Sequence, residues 1–342
     1  MLLVEKSTSE SRPLRRTPVS ARAGGGDELA IAIINNMPDP ALRDTEEQFL
    51  TLLADAAHDR RVRVSFCSLP GVPREEAARA HIGRRYITLE ELFDGRQVDG
   101  VIITGAEPRT PSLREEAYWP ELLEVFAWAE RHTSSAILSC LAAHAAVLAA
   151  DGIERHRLAA KRCGIFACAP VTDHPLLRGI REPIPLPHSR WNELWEPELA
   201  TAGYRLLTRA EHAGVDSFVK QRRGSLFLHL QGHPEYGAPT LLKEYRRDVR
   251  RFLTGERPDY PVVPRDYFDA ASEAMLARFQ AEAQANPRPE LLADFPEAAI
   301  AAPLRARWHA PARCLYANWL GSLRARRAPV ARAMAAQGWA GR

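Results

Sequence analysis

Short apolar runs alternate with amphipathic segments along the first 150 residues, and this alternation constrains the fold more than any other feature. The apolar runs are 29–34, 98–104 and 135–139, each short enough for a buried strand. Residues 45–57 and 119–132 lie between them and repeat apolar side chains with the helical period. Mostly apolar strands separated by helices indicate a parallel sheet covered on both faces. The sequence therefore predicts an α/β fold.

The second half of the chain has a different pattern. Shorter strands are predicted at 205–207, 216–220 and 225–230, followed by a helix over 240–253. Beyond about residue 267 the pattern becomes helical, with an Ala- and Pro-rich stretch in between. We predict three parts, which are a disordered tail (1–27), a core (28–268) and a helical C-terminal extension (269–342) that docks on the core or serves a partner subunit.

Charge and cysteine usage exclude several classes of function. The chain has 46 basic and 43 acidic residues, and a net charge of only +3 gives no broad surface for nucleic acid or a membrane. No apolar run is long enough to cross a bilayer, and the N-terminus lacks the apolar segment of a secretory signal, so we expect a cytoplasmic protein. The five scattered cysteines and the histidines lack metal-ligand spacing. No metal or cofactor is expected.

Cys140 lies where the predicted strand 135–139 meets an Ala-rich helix. A residue at such a turn projects above the carboxyl end of a parallel sheet, as the nucleophile of a hydrolase elbow does. The helix N-terminus behind it favours a thiolate and offers N–H groups to an oxyanion. A buried structural cysteine is the alternative, because cysteine is among the most buried residue types.

His233 and Glu235 follow the alternating strand 225–230 in the run Gly-His-Pro-Glu. Residues two apart on an extended segment point to the same side, so the carboxylate can orient the imidazole. A surface histidine beside a solvated glutamate is the alternative interpretation. Together with Cys140, these residues predict a nucleophile, a base and a group that orients the base.

Several ordered motifs give the chain a resemblance to a known family. They are Asn-Asn-Met-Pro (35–38) with Thr-Glu-Glu-Gln-Phe-Leu (45–50), Pro-His-Ser-Arg (187–190), Gly-His-Pro-Glu-Tyr (232–236) and Glu-Tyr-Arg-Arg-Asp (244–248). Over about residues 29–323 the chain resembles the homoserine O-acyltransferases, which have the class I glutamine amidotransferase-like, flavodoxin-like fold.

The resemblance implies a reaction. An acyl group passes from an acyl-CoA co-substrate to the hydroxyl of L-homoserine, in methionine biosynthesis, by a ping-pong mechanism through a Cys140 thioester. His233 would be the base in both half-reactions and Glu235 would orient it. The family also implies a homodimer.

Substrate contacts are implied at five further positions. Arg247 matches the arginine that binds the homoserine carboxylate, and Glu244 a glutamate near the active site. Lys161 matches a lysine on the acyl-donor side, while Ser189 and Arg190 match the motif near the amino-acid pocket. A solvated basic helix is the alternative for Arg247, because Arg246, Arg250 and Arg251 are its neighbours.

The acyl donor depends on Arg109, at a position where the family associates glutamate with acetyl and glycine with succinyl transfer. An arginine would complement the free carboxylate of a succinyl group, so we expect succinyl-CoA as the donor. Acetyl-CoA stays an alternative, because Glu107 could neutralise Arg109. The extended C-terminal segment also leaves serine or another amino alcohol open as acceptor.

Two other classes of protein have to be weighed. One is a glutamine amidotransferase-type hydrolase with the same Cys-His-Glu set, although such enzymes usually have Gly-x-Cys-x-Gly where this chain has Ser139-Cys140-Leu141. The other is a non-catalytic binding or regulatory protein that kept the fold. Intact Cys140, His233 and Glu235 favour an enzyme.

Overall fold

A computed structural model of the chain describes residues 2–5, 28–94 and 97–336, with side chains up to 324. Its strands are β1 (Leu2–Glu5), β2 (Glu28–Ile34), β3 (Arg61–Cys67), β4 (Gly100–Ile103), β5 (Ser135–Ser139), β6 (His156–Pro170), β7 (Ile184–Glu193), β8 (Arg205–Ala210), β9 (Gly214–Arg222) and β10 (Ser225–Leu230). Its α-helices are α1 (Leu42–Ala57), α2 (Glu76–Arg85), α3 (Leu89–Phe93), α4 (Trp119–His132), α5 (Leu141–Asp151), α6 (Glu196–Thr201), α7 (Thr240–Leu253), α8 (Ala270–Ala285), α9 (Glu297–Ala301) and α10 (His309–Ala336).

The strands form a single sheet in the order β1-β3-β2-β4-β5-β10-β9-β8-β6-β7. The first six strands in this order, which end with β10, pair in parallel. The last four, which are β9, β8, β6 and β7, pair antiparallel. We call these the parallel half and the antiparallel half. The predicted mostly parallel sheet is confirmed, as are the helix bounds 119–132 and 240–253.

Helices cover both faces of the parallel half, which explains why its strands are apolar throughout. On β2, Ile31 and Ile33 point into a core shared with α1 and α10, whereas Ala32 and Ile34 point into a second core shared with α4 and α5. Because successive strand residues face opposite sides, a strand between two helical layers needs an apolar side chain at every position.

The C-terminal helix α10 is one of these covering layers. The Trp319 ring is fully buried against β4, and its indole N–H donates to Ser135 Oγ at 3.0 Å. A Cβ atom on Gly100 would come within 2.7 Å of that ring, so only glycine leaves room for it. The predicted C-terminal helices are confirmed, and α10 completes the core of the sheet.

The structure corrects the prediction at the N-terminus. The disordered tail predicted for 1–27 is wrong for Leu2–Glu5, because these residues form the parallel edge strand β1 beside β3. The Glu5 carboxylate anchors this strand through an ion pair with Arg63 at 2.9 Å. Residues 1 and 6–27 lie outside the described part of the chain.

Candidate active site

Cys140 and His233 come together because the strands that precede them are neighbours in the sheet. β5 and β10 pair in parallel with Ser139 opposite Leu230, so both strands end at the same edge. Cys140 is the next residue after β5, and its N–H donates to the Leu230 carbonyl at 2.7 Å. The His233 loop leaves the sheet directly beside this junction.

The backbone at Cys140 has the strained conformation of an elbow. Its φ is +51° and its ψ is −108°, in a region that side-chain-bearing residues rarely adopt. α5 begins immediately afterwards, and the Cys140 carbonyl accepts the N–H groups of Ala143 and His144. The half-buried thiol therefore lies at the positive end of a helix dipole, next to the first-turn amides of Leu141 and Ala142.

His233 is held between a carboxylate and an aromatic ring. Its Nδ1 lies 2.9 Å from Glu235 Oε1, and Ser139 Oγ donates to the same oxygen at 3.2 Å. The Tyr236 ring stacks on the imidazole with centroids 4.2 Å apart. Both His233 and Glu235 are buried, so the imidazole has one orientation, with Nδ1 towards the carboxylate and Nε2 available to another group.

The electrostatics at His233 favour its charged form. Burial lowers the pKa of His233, but the charges of Glu235 and Cys140 together raise it well above its ordinary value. A hydrogen bond with the Cys140 side chain acts in the same direction. The surroundings of His233 therefore favour an imidazolium on this residue.

The antiparallel half supports the His233 loop from behind. Asp216 on β9 accepts the Gly232 N–H and lies 3.2 Å from His188 Nε2 on β7, while the His233 N–H donates to the Pro187 carbonyl at 2.8 Å. A Cβ atom on Gly232 would come within 2.6 Å of Asp216 Oδ1, so the loop approaches β9 as closely as glycine allows.

Within the described part of the chain, this cluster also contains three side chains whose donor atoms could surround a metal ion. They are Cys168, His188 and Asp216, all buried and with donor atoms within 4.8 Å of one another. Asp216 also accepts from Thr208 at 2.6 Å, and Arg190 Nε lies 3.4 Å from His188 Nδ1. The hydrogen bonds and the arginine charge thus already compensate the carboxylate, which fits a structural network better than a cation site.

The sequence-predicted substrate residues form a second network beside the triad. Glu244 accepts hydrogen bonds from Ser189 and Tyr236, and Lys161 lies 3.6 Å from it. Lys161 also pairs with Asp248 at 2.8 Å. Burial raises the pKa of Glu244, but Lys161 and Arg247 outweigh that effect and lower it, so the carboxylate is charged.

These residues line a cavity of about 670 Å³ that we call the His233 cavity. Its walls include the three members of the triad and four of the predicted substrate residues, namely Cys140, His233, Glu235, Lys161, Ser189, Glu244 and Arg247. The Arg247 guanidinium is paired with Asp248 at 3.1 Å. The Arg247 side chain is nevertheless 39% exposed, so it retains donors for a ligand in the cavity. The structure thus brings these seven residues together.

Two predicted residues lie elsewhere. Arg190 lines a different cavity, and its guanidinium donates to the carbonyls of Asn192 and Ala213, so it positions backbone. The exposed Arg109 lines a third cavity of about 290 Å³ in which Cys140 takes no part. Its N–H donates to Glu116, which holds the loop. The structure does not bring the Arg109 side chain to the nucleophile.

Sequence reasoning missed several residues that shape the site. The Tyr236 ring stacks on one face of the His233 imidazole, and the Tyr236 carbonyl accepts a hydrogen bond from the buried Trp308 indole N–H at 2.7 Å. Arg155 shares a cavity with Cys140. The motif Arg-Trp-His at 307–309 was a signal for Trp308, whereas Arg155 lies in a charged run that looks like an ordinary solvated turn.

Comparison with known proteins identifies the family. A homoserine O-succinyltransferase from Bradyrhizobium japonicum is 46% identical over 315 residues, covering 90% of this chain and 96% of the relative. Another from Rhodopseudomonas palustris is 46% identical over 302 residues, covering 88% and 90%. Among solved structures, a glutamine amidotransferase from Thermotoga maritima superposes with a TM-score of 0.48 at 13% identity, covering 86% of this chain and 98% of that one.

Within the described residues, no helix has the length and apolar character needed to span a bilayer.

The profile of the homoserine O-succinyltransferase family matches residues 16–330, which is nearly the whole chain. The chain therefore belongs to the homoserine O-succinyltransferase family of acyltransferases.

Proposed function

We propose that this enzyme transfers the succinyl group of succinyl-CoA to the hydroxyl of L-homoserine through a thioester on Cys140. The observation that carries the proposal is the Cys140–His233–Glu235 set at the edge of two paired strands, in a chain of this family. Acyl-CoA is a co-substrate, and no metal or cofactor enters the reaction.

In the first half-reaction the Cys140 thiolate attacks the thioester carbonyl carbon. The first-turn amides of Leu141 and Ala142, at the start of α5, are the donors available to the carbonyl oxygen as it gains charge. When the intermediate collapses, the bond between carbon and the CoA sulfur breaks, and the His233 imidazolium gives its proton to that sulfur. One thioester replaces another, so the acyl group keeps its activation.

Acylation changes the role of His233. The thiolate charge is one of the causes that raise the pKa of His233, and it disappears when Cys140 is acylated. The neutral imidazole then takes the proton of the homoserine hydroxyl while the oxygen attacks the thioester carbon. Cys140 leaves as a thiolate and the imidazolium forms again, so the starting ion pair is restored. Glu235 holds the ring in one orientation throughout.

The remaining walls of the His233 cavity suit an amino-acid acceptor. The exposed part of the Arg247 guanidinium is a planar donor for the homoserine carboxylate. Lys161, Ser189 and Glu244 hold one another in a charge-balanced wall next to it. The resemblance to the family assigns Lys161 to the acyl-donor side. Arg190 contributes by fixing the backbone of this wall. The proposal also takes the cytoplasm as the location and a homodimer as the assembly, on the resemblance to the family alone.

Release of free CoA tests the proposal over a matrix of donors and acceptors. We expect the highest kcat/KM with succinyl-CoA and L-homoserine, and lower values with acetyl-CoA or L-serine. A preference for acetyl-CoA would replace the donor, and a preference for serine would replace the acceptor. Hydrolysis of glutamine without CoA turnover would contradict acyl transfer altogether.

A further inference from the structure

A second cavity, of about 570 Å³, meets the His233 cavity at Cys140. We call it the Arg155 cavity. Cys140, Leu141 and Ser189 belong to both cavities, whereas His233 lines only the first and Arg155 only the second. The nucleophile therefore lies between two chambers, and only one of them contains the base.

The chemistry of a two-step acyl transfer assigns the contents of each chamber. The departing CoA thiol receives its proton from His233, and the attacking hydroxyl later gives its proton to the same group. Both must therefore occupy the His233 cavity in turn. The acyl chain extends from the other side of the carbonyl carbon and stays on Cys140 between the two steps. The Arg155 cavity is the chamber left for it.

The cations of the Arg155 cavity differ in what they are paired with. Arg190 donates hydrogen bonds to backbone carbonyls, and the guanidinium of the exposed Arg157 stacks on the Trp191 ring at 4.5 Å. Arg155 is half-buried and, among the residues with described side chains, has a single long hydrogen bond, 3.5 Å to the Pro111 carbonyl. It makes no ion pair within 4.0 Å to any residue for which the structure gives side chains.

The charge of Arg155 is close enough to the nucleophile to interact with it. Burial and the charge of Arg157 lower the pKa of Arg155, whereas the charges of Tyr118, Glu116 and Cys140 act in the opposite direction. A partly desolvated cation without a carboxylate partner costs free energy that an incoming anion relieves. A guanidinium presents a planar pair of donors that matches a carboxylate.

We propose that Arg155 binds the distal carboxylate of the acyl group and so selects a dicarboxylic acyl donor over a neutral one. This inference rests on the proposed succinyl transfer and assigns the selectivity to Arg155 in place of Arg109. An acetyl group would leave the guanidinium without a partner.

The test compares succinyl-CoA with butyryl-CoA, which has the same chain length but no carboxylate. Homoserine is the acceptor throughout, and the readout is the ratio of the two kcat/KM values, which does not depend on the fraction of folded enzyme. Arg155→Gln is expected to lower kcat/KM for succinyl-CoA by about 30-fold or more and to leave butyryl-CoA within about threefold. Arg155→Lys keeps the charge and is expected to recover part of the ratio.

Arg157→Gln and Arg109→Gln are the matched controls, because each removes a neighbouring arginine. We expect either to change the ratio by less than about threefold. An unchanged ratio in Arg155→Gln, or loss of the preference in a control variant, overturns the inference while the proposed function stands. Wild-type enzyme that turns over butyryl-CoA as well as succinyl-CoA also overturns the inference alone. Wild-type enzyme that fails to turn over succinyl-CoA contradicts the proposed function.

Discussion

The two halves of the sheet contribute different things to the active site. The parallel half supplies the elbow at Cys140, and its last strand, β10, leads into the loop that carries His233 and Glu235. The antiparallel half supplies part of the cavity wall, with Lys161 on β6 and Ser189 on β7, and holds the His233 loop through Asp216 on β9. Helix α7 supplies Glu244 and Arg247. The groups proposed to react and the groups that hold their loop in place therefore come from different halves of the sheet, so substitutions in each half should differ in kind.

The largest effect is expected for a change to the reactive group that follows the parallel half. His233→Gln removes the proposed acid and base of both half-reactions, so kcat should fall by about 10³-fold or more with little change in folding. Steady-state CoA release and circular dichroism measure the two properties. His156→Gln is the control in the antiparallel half, because His156 pairs with Glu198 away from both cavities. A His233 variant whose kcat is within tenfold of the wild-type value would contradict the assignment of the reactive groups to the parallel half.

A smaller effect of another kind is expected at the support. Asp216→Asn weakens acceptors that hold the Gly232 N–H, His188 and Thr208. Loss of a buried charged acceptor costs about 1–3 kcal/mol of unfolding free energy, and we expect kcat to fall by about tenfold because the loop loosens. Urea denaturation and steady-state kinetics measure both.

Glu196→Gln is the control for the Asp216 variant, since it removes a carboxylate from an exposed ion pair with Arg209. It should leave kcat unchanged and alter stability by less than about 1 kcal/mol. Asp216→Asn with full stability and a kcat loss as large as that of His233→Gln would show that Asp216 takes part in the chemistry and would remove the distinction between the halves.

The last expected effect concerns stability alone and is a gradual loss of it in acid. Burial lowers the pKa of His144 and of His229 to about 3, so both imidazoles are neutral in the folded protein. The unfolded chain takes up these protons near pH 6.5 and the folded chain does not. Stability is therefore complete above pH 6.5 and falls as pH decreases towards 3, by about 1.4 kcal/mol per pH unit for each group.

Urea denaturation at several pH values between 7.5 and 4.5 measures that slope. His229→Phe is a suitable variant, because the imidazole stacks on Phe218 at 4.6 Å and an aromatic ring can take its place. We expect the pH dependence of the unfolding free energy to be shallower in this variant, by about the 1.4 kcal/mol per pH unit that one histidine contributes. A slope identical to that of wild type would mean that His229 is not buried as a neutral ring.

The sequence predicted the parallel half well because its signal is local. β5 and α4 follow from apolar runs and helical periodicity, and the predicted triad of Cys140, His233 and Glu235 is brought together by adjacent strand ends. The long strands β6 and β7 escaped prediction, because the first half of β6 mixes charged and small residues without a strand period and β7 carries two prolines. Their pairing comes from tertiary contacts that no local pattern encodes.

The charged residues of the site show the same limit. Arg109 was predicted as the acyl-selecting residue from its position in a motif, but the structure puts its side chain in a separate cavity. Arg155 was missed, because a turn with Glu154, Arg155 and Arg157 has the composition of a solvated surface. Whether a charge is paired depends on the elements that fold against it, and this information is absent from a short window of sequence.

The proposed mechanism depends most directly on an acyl group being held by Cys140. Incubation of the enzyme with succinyl-CoA in the absence of homoserine, followed by intact-mass analysis and peptide mapping, measures this. We predict one succinyl group per chain on Cys140, none on Cys140→Ala, and loss of the adduct with formation of succinylhomoserine when homoserine is added. Product formation by wild-type enzyme with no adduct, or with the adduct on another residue, would contradict the account.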